Sequence, residues 1–179
     1  FNKYVAGEVD ATEEHLDATR EFHAWGALNG IVKDEDGTEE YNLFTLFGIQ
    51  KVSKAYTETE LNDEDAIREA LIDQKSRIKK KLRGKVIKGF VMFCGATAYK
   101  RFALSNDAKT DMRNNKLRYV VDGFDDGFNY QRVDFVEYDG GIGDIDFIDD
   151  REAILVPIVE GLFKITYTPG KGTDHVNKK

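Results

Sequence analysis

Cysteine, proline, histidine and long apolar runs are all scarce in this chain, and each scarcity removes a class of protein. Cys94 is the one cysteine among 179 residues, so no internal disulfide forms and nothing points to an oxidising compartment. Three histidines (His15, His23, His175) beside a single cysteine speak against a structural zinc site. No apolar run reaches the length of about 20 residues that a transmembrane helix needs. No signal peptide follows Phe1, and with no Met at the start the chain reads as a piece of something longer. The net charge of −7 gives no general pull toward phosphate backbones. The local exception is "KSRIKKKLRGKVIK", Lys75 to Lys88. No internal repeat and no low-complexity segment is present.

What remains is a chain with 41% hydrophobic and 33% charged residues, a globular composition with a wet surface. Its length suffices for one domain, or two small ones, with a core. The first element is helical: Asp10 or Thr12 can cap it, and Asp10 with Glu13 has capping-box spacing. Its apolar stripe reads as Leu16, His23 or Ala24, Ala27 and Leu28, and Gly30 stops it. The small residues Ala24, Gly26, Ala27 and Gly30 predict close approach of another backbone. A hairpin follows, Ile31–Lys33 against Tyr41–Leu43, with Asp36–Gly37 as its turn. The stretch "NLFTLFGIQKVSKAY" reads as extended chain, and a composition shift near Tyr56–Leu61 marks a candidate boundary. A second helix is expected from Asn62 or Asp63, buried through Ile67, Leu71, Ile78 and Leu82. It starts acidic and ends basic, the order the helix dipole favours, which accounts for most of the basic run.

Beyond it, Val86–Phe93 reads as a strand, Ala96–Leu104 as a short helix and "DAKTDMRN" as a further helical turn. Strands are then expected at Leu117–Val121, Asn129–Tyr138, Ala153–Ile158 and Leu162–Thr168, punctuated by glycine and aspartate. Helices and strands are mixed and strands come late, so the class is α+β. The last strand lies in "PIVEGLFKITYTPG", between the chain's two prolines, Pro157 and Pro169. It holds apolar residues and almost nothing catalytic.

Four features invite chemistry. Cys94 ends a strand before a helix, where a thiol can be activated, but no histidine lies near it in sequence to act as base. "FVMFCG" also reads as core strand. The aspartates Asp122, Asp125, Asp126, Asp134, Asp139, Asp144, Asp146, Asp149 and Asp150 match no calcium-loop spacing and read as solvated turns. Gly140–Gly141–x–Gly143 lacks the phosphate-loop fingerprint and is followed by acids. Trp25 reads as a core or interface residue.

The tail "FNYQRVDFVEYDGGIGDIDFIDDREAILVPIVEGLFKITYTPGKGTDHVN" resembles the closing portion of the lambda-type phage major capsid proteins, the protein E family. The matching pieces are Phe135–Val136–Glu137–Tyr138–Asp139–Gly140–Gly141, Asp149–Asp150, Glu152–Ala153, Val156–Pro157, Gly161–Leu162–Phe163, Tyr167–Thr168–Pro169 and His175–Val176–Asn177. The front is similar too, at Thr12, Glu14–His15, Gly26–Ala27–Leu28–Asn29–Gly30, Asp34, Asp36–Gly37 and Phe47–Gly48, as is Phe93–Cys94–Gly95. The motif positions the resemblance singles out are Gly30, Asp36, Gly37, Cys94, Tyr138, Gly140, Pro157, Gly161, Leu162, Phe163, Tyr167 and Pro169. Family members are longer, with an N-terminal arm, an extended loop and a further strand that this chain lacks.

The resemblance implies a Hong Kong 97 phage capsid-like fold. Residues 1–60 would be the end of the spine helix and the peripheral-domain hairpin, 61–169 the axial domain and 170–179 a truncated return segment or tail. The proline-bracketed strand would belong to the axial sheet, its prolines marking where pairing stops. The implied role is structural: pentamers and hexamers closing into an icosahedral shell around double-stranded DNA, without sequence-specific binding. Its implied partners are capsomer neighbours, with scaffolding, decoration and portal proteins beside them. No enzyme activity, cofactor, metal or membrane is implied, and the location would be the virion, assembled in the bacterial host cytoplasm. Without arm and loop, the chain is expected to be monomeric or weakly associating. Three other readings stay open: a nanocompartment shell of the same fold around protein cargo, a cysteine-dependent enzyme using Cys94, and a nucleic-acid binder using Lys75–Lys88.

Overall fold

A computed structural model describes residues 2–34, 36–63, 65–114, 127–142 and 145–164. Its first element, α1, spans Asn2–Asn29, so Asp10 and Thr12 lie inside the helix and not at its start. The buried face also differs from the expected stripe. Trp25 is buried with Phe22 and Leu28 half-buried, while Leu16, His23, Ala24 and Ala27 are exposed. The C-terminal turns of α1 pack on the sheet side through Phe22, Trp25 and Leu28, so aromatic bulk decides which face they use. Gly30 closes the helix at φ +83°, the left-handed value a C′ glycine takes without strain. A Cβ there would sit 2.4 Å from the Phe44 ring. The expected close approach is real at Gly26, where a Cβ would lie 3.0 Å from the Ile31 carbonyl oxygen.

The hairpin β1 (Ile31–Lys33) and β2 (Glu39–Asn42) is antiparallel, with Ile31 opposite Asn42. Its turn is fixed by Asp36, whose carboxylate accepts from the Thr38 N–H at 2.8 Å and hydroxyl at 2.6 Å. The next stretch is not extended throughout. Asn42 caps a one-turn helix, α2 (Leu43–Phe47), by accepting from Thr45 N–H at 3.1 Å, and Gly48 ends it at φ +60°. The second helix is likewise two. Thr57 and Glu60 form a reciprocal capping box that starts α3 (Glu58–Asn62), and α4 runs over Ala66–Lys81.

Strand β3 (Ile87–Cys94) leads into α5 (Ala96–Ala103) and α6 (Asn106–Asn114). The expected strand Leu117–Val121 lies outside the described residues. Asn129–Tyr138 is a hairpin, not one strand: β4 (Phe128–Tyr130) and β5 (Val133–Glu137) meet at a two-residue turn. Gln131 and Arg132 there take φ +52° and +59°, the pair of left-handed conformations a type I′ turn needs. A small ribbon, β6 (Gly141–Ile142) with β7 (Ile145–Asp146), precedes β8 (Ala153–Val159). The main sheet is mixed, in order β4-β5-β3-β8, with β3 parallel to β5 and antiparallel to β8. Phe90, Met92 and Cys94 alternate into one face of β3 and share a core with Leu71 of α4, Phe102 of α5 and Phe135 of β5.

Pro157 stands within β8, opposite Phe90, and pairing continues to Val159, so this proline does not end the strand. The ladder shows why it is tolerated. Gly95 N–H donates to the Glu152 carbonyl at 3.0 Å, a bonded rung one step beyond Cys94–Ala153. Bonded and unbonded rungs alternate in an antiparallel pair. Counting down, Phe90–Pro157 is an unbonded rung, and the proline nitrogen faces the outer side of an edge strand. The segment after β8 is a turn at Gly161 and a bend at Leu162–Phe163, not strand, and residues 165–168 of the expected strand lie outside the described residues.

Helix α4 begins with an arrangement the sequence hides. Asp65, at its N-cap, has φ +78° and makes no side-chain cap. The buried Asp107 carboxylate of α6 substitutes, accepting from the N–H groups of Asp65 (2.8 Å), Ile67 (3.1 Å) and Arg68 (3.3 Å). An anion at that end also suits the helix dipole. Asp107→Ala leaves buried donors unmet, and a loss of about 2–3 kcal/mol is expected, read as a fall in Tm of about 4–12 °C. Asp107→Asn, which keeps an acceptor oxygen, should lose less; an Ala variant that melts with the wild type would refute the remote cap.

Candidate assembly surface and its anchoring junction

The described residues gather no catalytic constellation. Cys94 is fully buried, its thiol 3.6 Å from the Met92 carbonyl oxygen. Burial, with the Glu137 charge adding to it, pushes that thiol up to about 12, so no thiolate is present at neutral pH. The aspartates play different parts. Asp149 serves a turn, accepting from Arg151 N–H at 2.9 Å, and Asp150 accepts from the Thr97 hydroxyl of α5 at 3.1 Å. Asp134 and Asp146 stand in strands β5 and β7 rather than in turns, Asp134 accepting from its cross-strand partner Asn129 at 2.6 Å. Asp122, Asp125, Asp126 and Asp144 lie outside the described residues. Among the described residues no group of three or more side chains could hold a metal. In the basic run, Lys75 donates to the Gln131 carbonyl at 2.5 Å and Lys88 pairs with Glu160 at 3.1 Å.

The motif positions fall in three places. Gly30, Asp36 and Gly37 shape the end of α1 and the hairpin turn. Pro157, Gly161, Leu162 and Phe163 lie at the far end of β8, with the Phe163 side chain exposed. Tyr167 and Pro169 are outside the described residues. Cys94, Tyr138 and Gly140 come together at the C-terminal end of β3, where the Tyr138 N–H donates to the Cys94 carbonyl at 2.9 Å.

That third place is the junction between α1 and the sheet. The Trp25 indole N–H donates to the Tyr138 hydroxyl at 2.6 Å. The hydroxyl in turn donates to the Glu21 carboxylate. Trp25 packs edge-on against Phe93 at 5.2 Å between centroids and tilted against Tyr138 at 4.5 Å. Phe147 and Ile148 close the cluster. Gly140 is required there, since a Cβ would sit 2.3 Å from the Tyr138 hydroxyl. Sequence reading found Trp25, Tyr138 and Gly140 separately but missed Glu21 and Phe147; Glu21 and Trp25, four apart on one helix face, were the available signal. Burial first, then the hydrogen bond to Glu21, raises the Tyr138 hydroxyl from its ordinary 10.0 to about 12. The neutral form is the one the fold holds, so this contribution is complete below pH 10 and is lost as pH rises toward 12.

Beyond the junction, apolar surface is left uncovered. Leu46 and Phe47 of α2 are each 66% exposed, and Ile49, Val52 and Tyr41 beside them are exposed as well. These five exposed apolar residues fall within residues 41–52, a short span of a polar chain. Loss of the tyrosine hydroxyl in Tyr138→Phe strands the buried indole N–H, and a cost of about 1–2 kcal/mol is expected, lowering Tm by about 2–8 °C. An unchanged melt, with Trp25 fluorescence also unchanged, would show that the bond does not anchor α1.

A search of curated proteins finds no match. The family model described as phage major capsid protein E matches residues 1–179, the whole chain. An uncovered apolar surface, a buried unreactive thiol and a helix anchored by packing all fit a structural part of a virion, and the chain belongs to the phage major capsid protein E family.

Proposed function

We propose that this chain is a shell subunit with the Hong Kong 97 capsid fold. In this reading α1 is the end of the spine helix and the β1–β2 hairpin belongs to a peripheral domain, within residues 1–60. Residues 61–169, carrying the mixed sheet, are the axial domain around a capsomer axis, and 170–179 are a return segment. Copies form pentamers and hexamers that close into an icosahedral shell around double-stranded DNA, assembled in the host cytoplasm. The observation that carries the reading is the family match over the whole chain. The uncovered apolar residues of α2 support self-association, and polar rims around such patches keep contacts reversible.

Sedimentation and negative-stain electron microscopy on the complete polypeptide, alone and with its scaffolding partner, test it. Closed shells or rings of five and six are expected; a monomer that never forms rings at high concentration would overturn the reading. Nucleic acid inside the shells separates a DNA container from a protein-filled compartment. Native thiol alkylation bears on the enzymatic alternative. Cys94 should stay unlabelled until denaturant is added, whereas rapid labelling at neutral pH would revive a catalytic thiol.

A further inference from the structure

A groove of about 870 Å³ runs between α4, the segment 50–56 and the sheet. Its floor is apolar, formed by Leu71, Ile78, Met92, Phe102 and Leu155. Its rim is basic: Lys51, Lys54, Arg77, Lys81, Arg101 and Arg151 line it, against one acid, Glu152. Three of these cations are engaged, Lys51 loosely with Glu152 at 3.9 Å, Lys54 with Glu60 and Arg101 with Glu58 at 2.9 Å. Arg77, Lys81 and Arg151 are exposed and make no ion pair among the described residues. A positive groove on a chain of net charge −7 is a local inversion, and it sets the sign of what fits.

The complementary surface is on the same chain. The hairpin tip from residue 34 to 40 reads "DEDGTEE", five acids in seven residues. Its described residues are all exposed, so the tip does not fill its own chain's groove. Asp36, Glu39 and Glu40 are in no ion pair among the described residues. Bonds from Thr38 hold the Asp36 carboxyl below its ordinary range. Tyr41, 55% exposed, follows the tip and supplies an aromatic anchor for an apolar floor. The groove volume accommodates a few side chains, the scale of a loop tip.

We propose that the acidic tip of the β1–β2 hairpin of one copy docks into the basic-rimmed groove of a second copy. Hairpin and groove are different surfaces of one chain, so the contact is head-to-tail, the kind that closes into rings when the rotation allows. It rests on the shell reading and gives it a named contact. An apolar floor suits a folded peptide tip better than a nucleic-acid backbone, which is held by charge alone.

The test uses sedimentation velocity on the complete polypeptide, with electron microscopy of shells as a separate readout. One variant reverses the groove (Arg77→Glu, Lys81→Glu, Arg151→Glu); another reverses the hairpin (Asp36→Lys, Glu39→Lys, Glu40→Lys). All six positions are exposed, and circular dichroism checks that each variant folds. Self-association of the wild type should weaken as salt rises past about 0.1 M, where the screening length is about 10 Å. Each variant alone should associate roughly tenfold more weakly, and an equal mixture of the two should recover, because each offers the other opposite charges. Association that neither reversal disturbs would overturn the contact, and shells in the same samples would leave the capsid reading intact. A mixture that stays dissociated would overturn it too. So would a groove reversal that acts where the hairpin reversal does not, since another segment, a partner protein or DNA would then fill the groove. Absence of both shells and association would sink the shell reading itself.

Discussion

Strand β3 is buried on one face and half-buried on the other, and covering both orders the elements around it. One face sends Phe90, Met92 and Cys94 into the core under α4 and α5. The other sends Phe93 against Trp25, where α1 arrives. With β5 on one side and β8 on the other, β3 is also hydrogen-bonded along both edges. The last turns of α1 therefore rest on a strand that is paired on both sides and packed on its opposite face. The bond from Trp25 to Tyr138 adds direction to that packing: it fixes the angle at which α1 leaves the sheet.

Much of this was legible in the sequence and some was hidden for physical reasons. The stop of α1 at Gly30 was legible but its start was not, and α5 and β8 fall within one residue of their expected ends. Two boxes with equivalent spacing behaved oppositely. Asp10–Glu13 lies within a continuing helix, whereas Thr57–Glu60 caps a real start, because Thr57 itself has an extended backbone and the chain before it is not helical. Asn42 and Gly48 carried readable start and stop signals for α2, masked by a β-rich run between them. The turn at Gln131–Arg132 has no Asn–Gly or Asp–Gly signature, so one strand was read where the chain doubles back.

The junction and the remote cap share a different obstacle. Trp25 and Tyr138 stand 113 positions apart, and Asp107 reaches back about 40 to cap α4. Periodicity and cap rules act over one or two turns and carry no information at that range. Motif positions named the residues without their partners. The charge inversion at the groove was half visible as the basic run, but its apolar floor and the cations from residues 51, 54 and 151 assemble only in space.

The outward nitrogen of Pro157 bears on what kind of object many copies can make. An exposed strand with a full row of donors is a template, and at the crowding inside a particle it invites a second strand, then a third, without limit. With one donor missing and a ring in its place, the β8 edge offers no continuous seam. Contact between copies is then left to side chains and loop tips, whose geometry permits only certain rotations. In the proposed shell, a proline inside a strand thus tilts the balance from open ribbon toward closed, countable assembly.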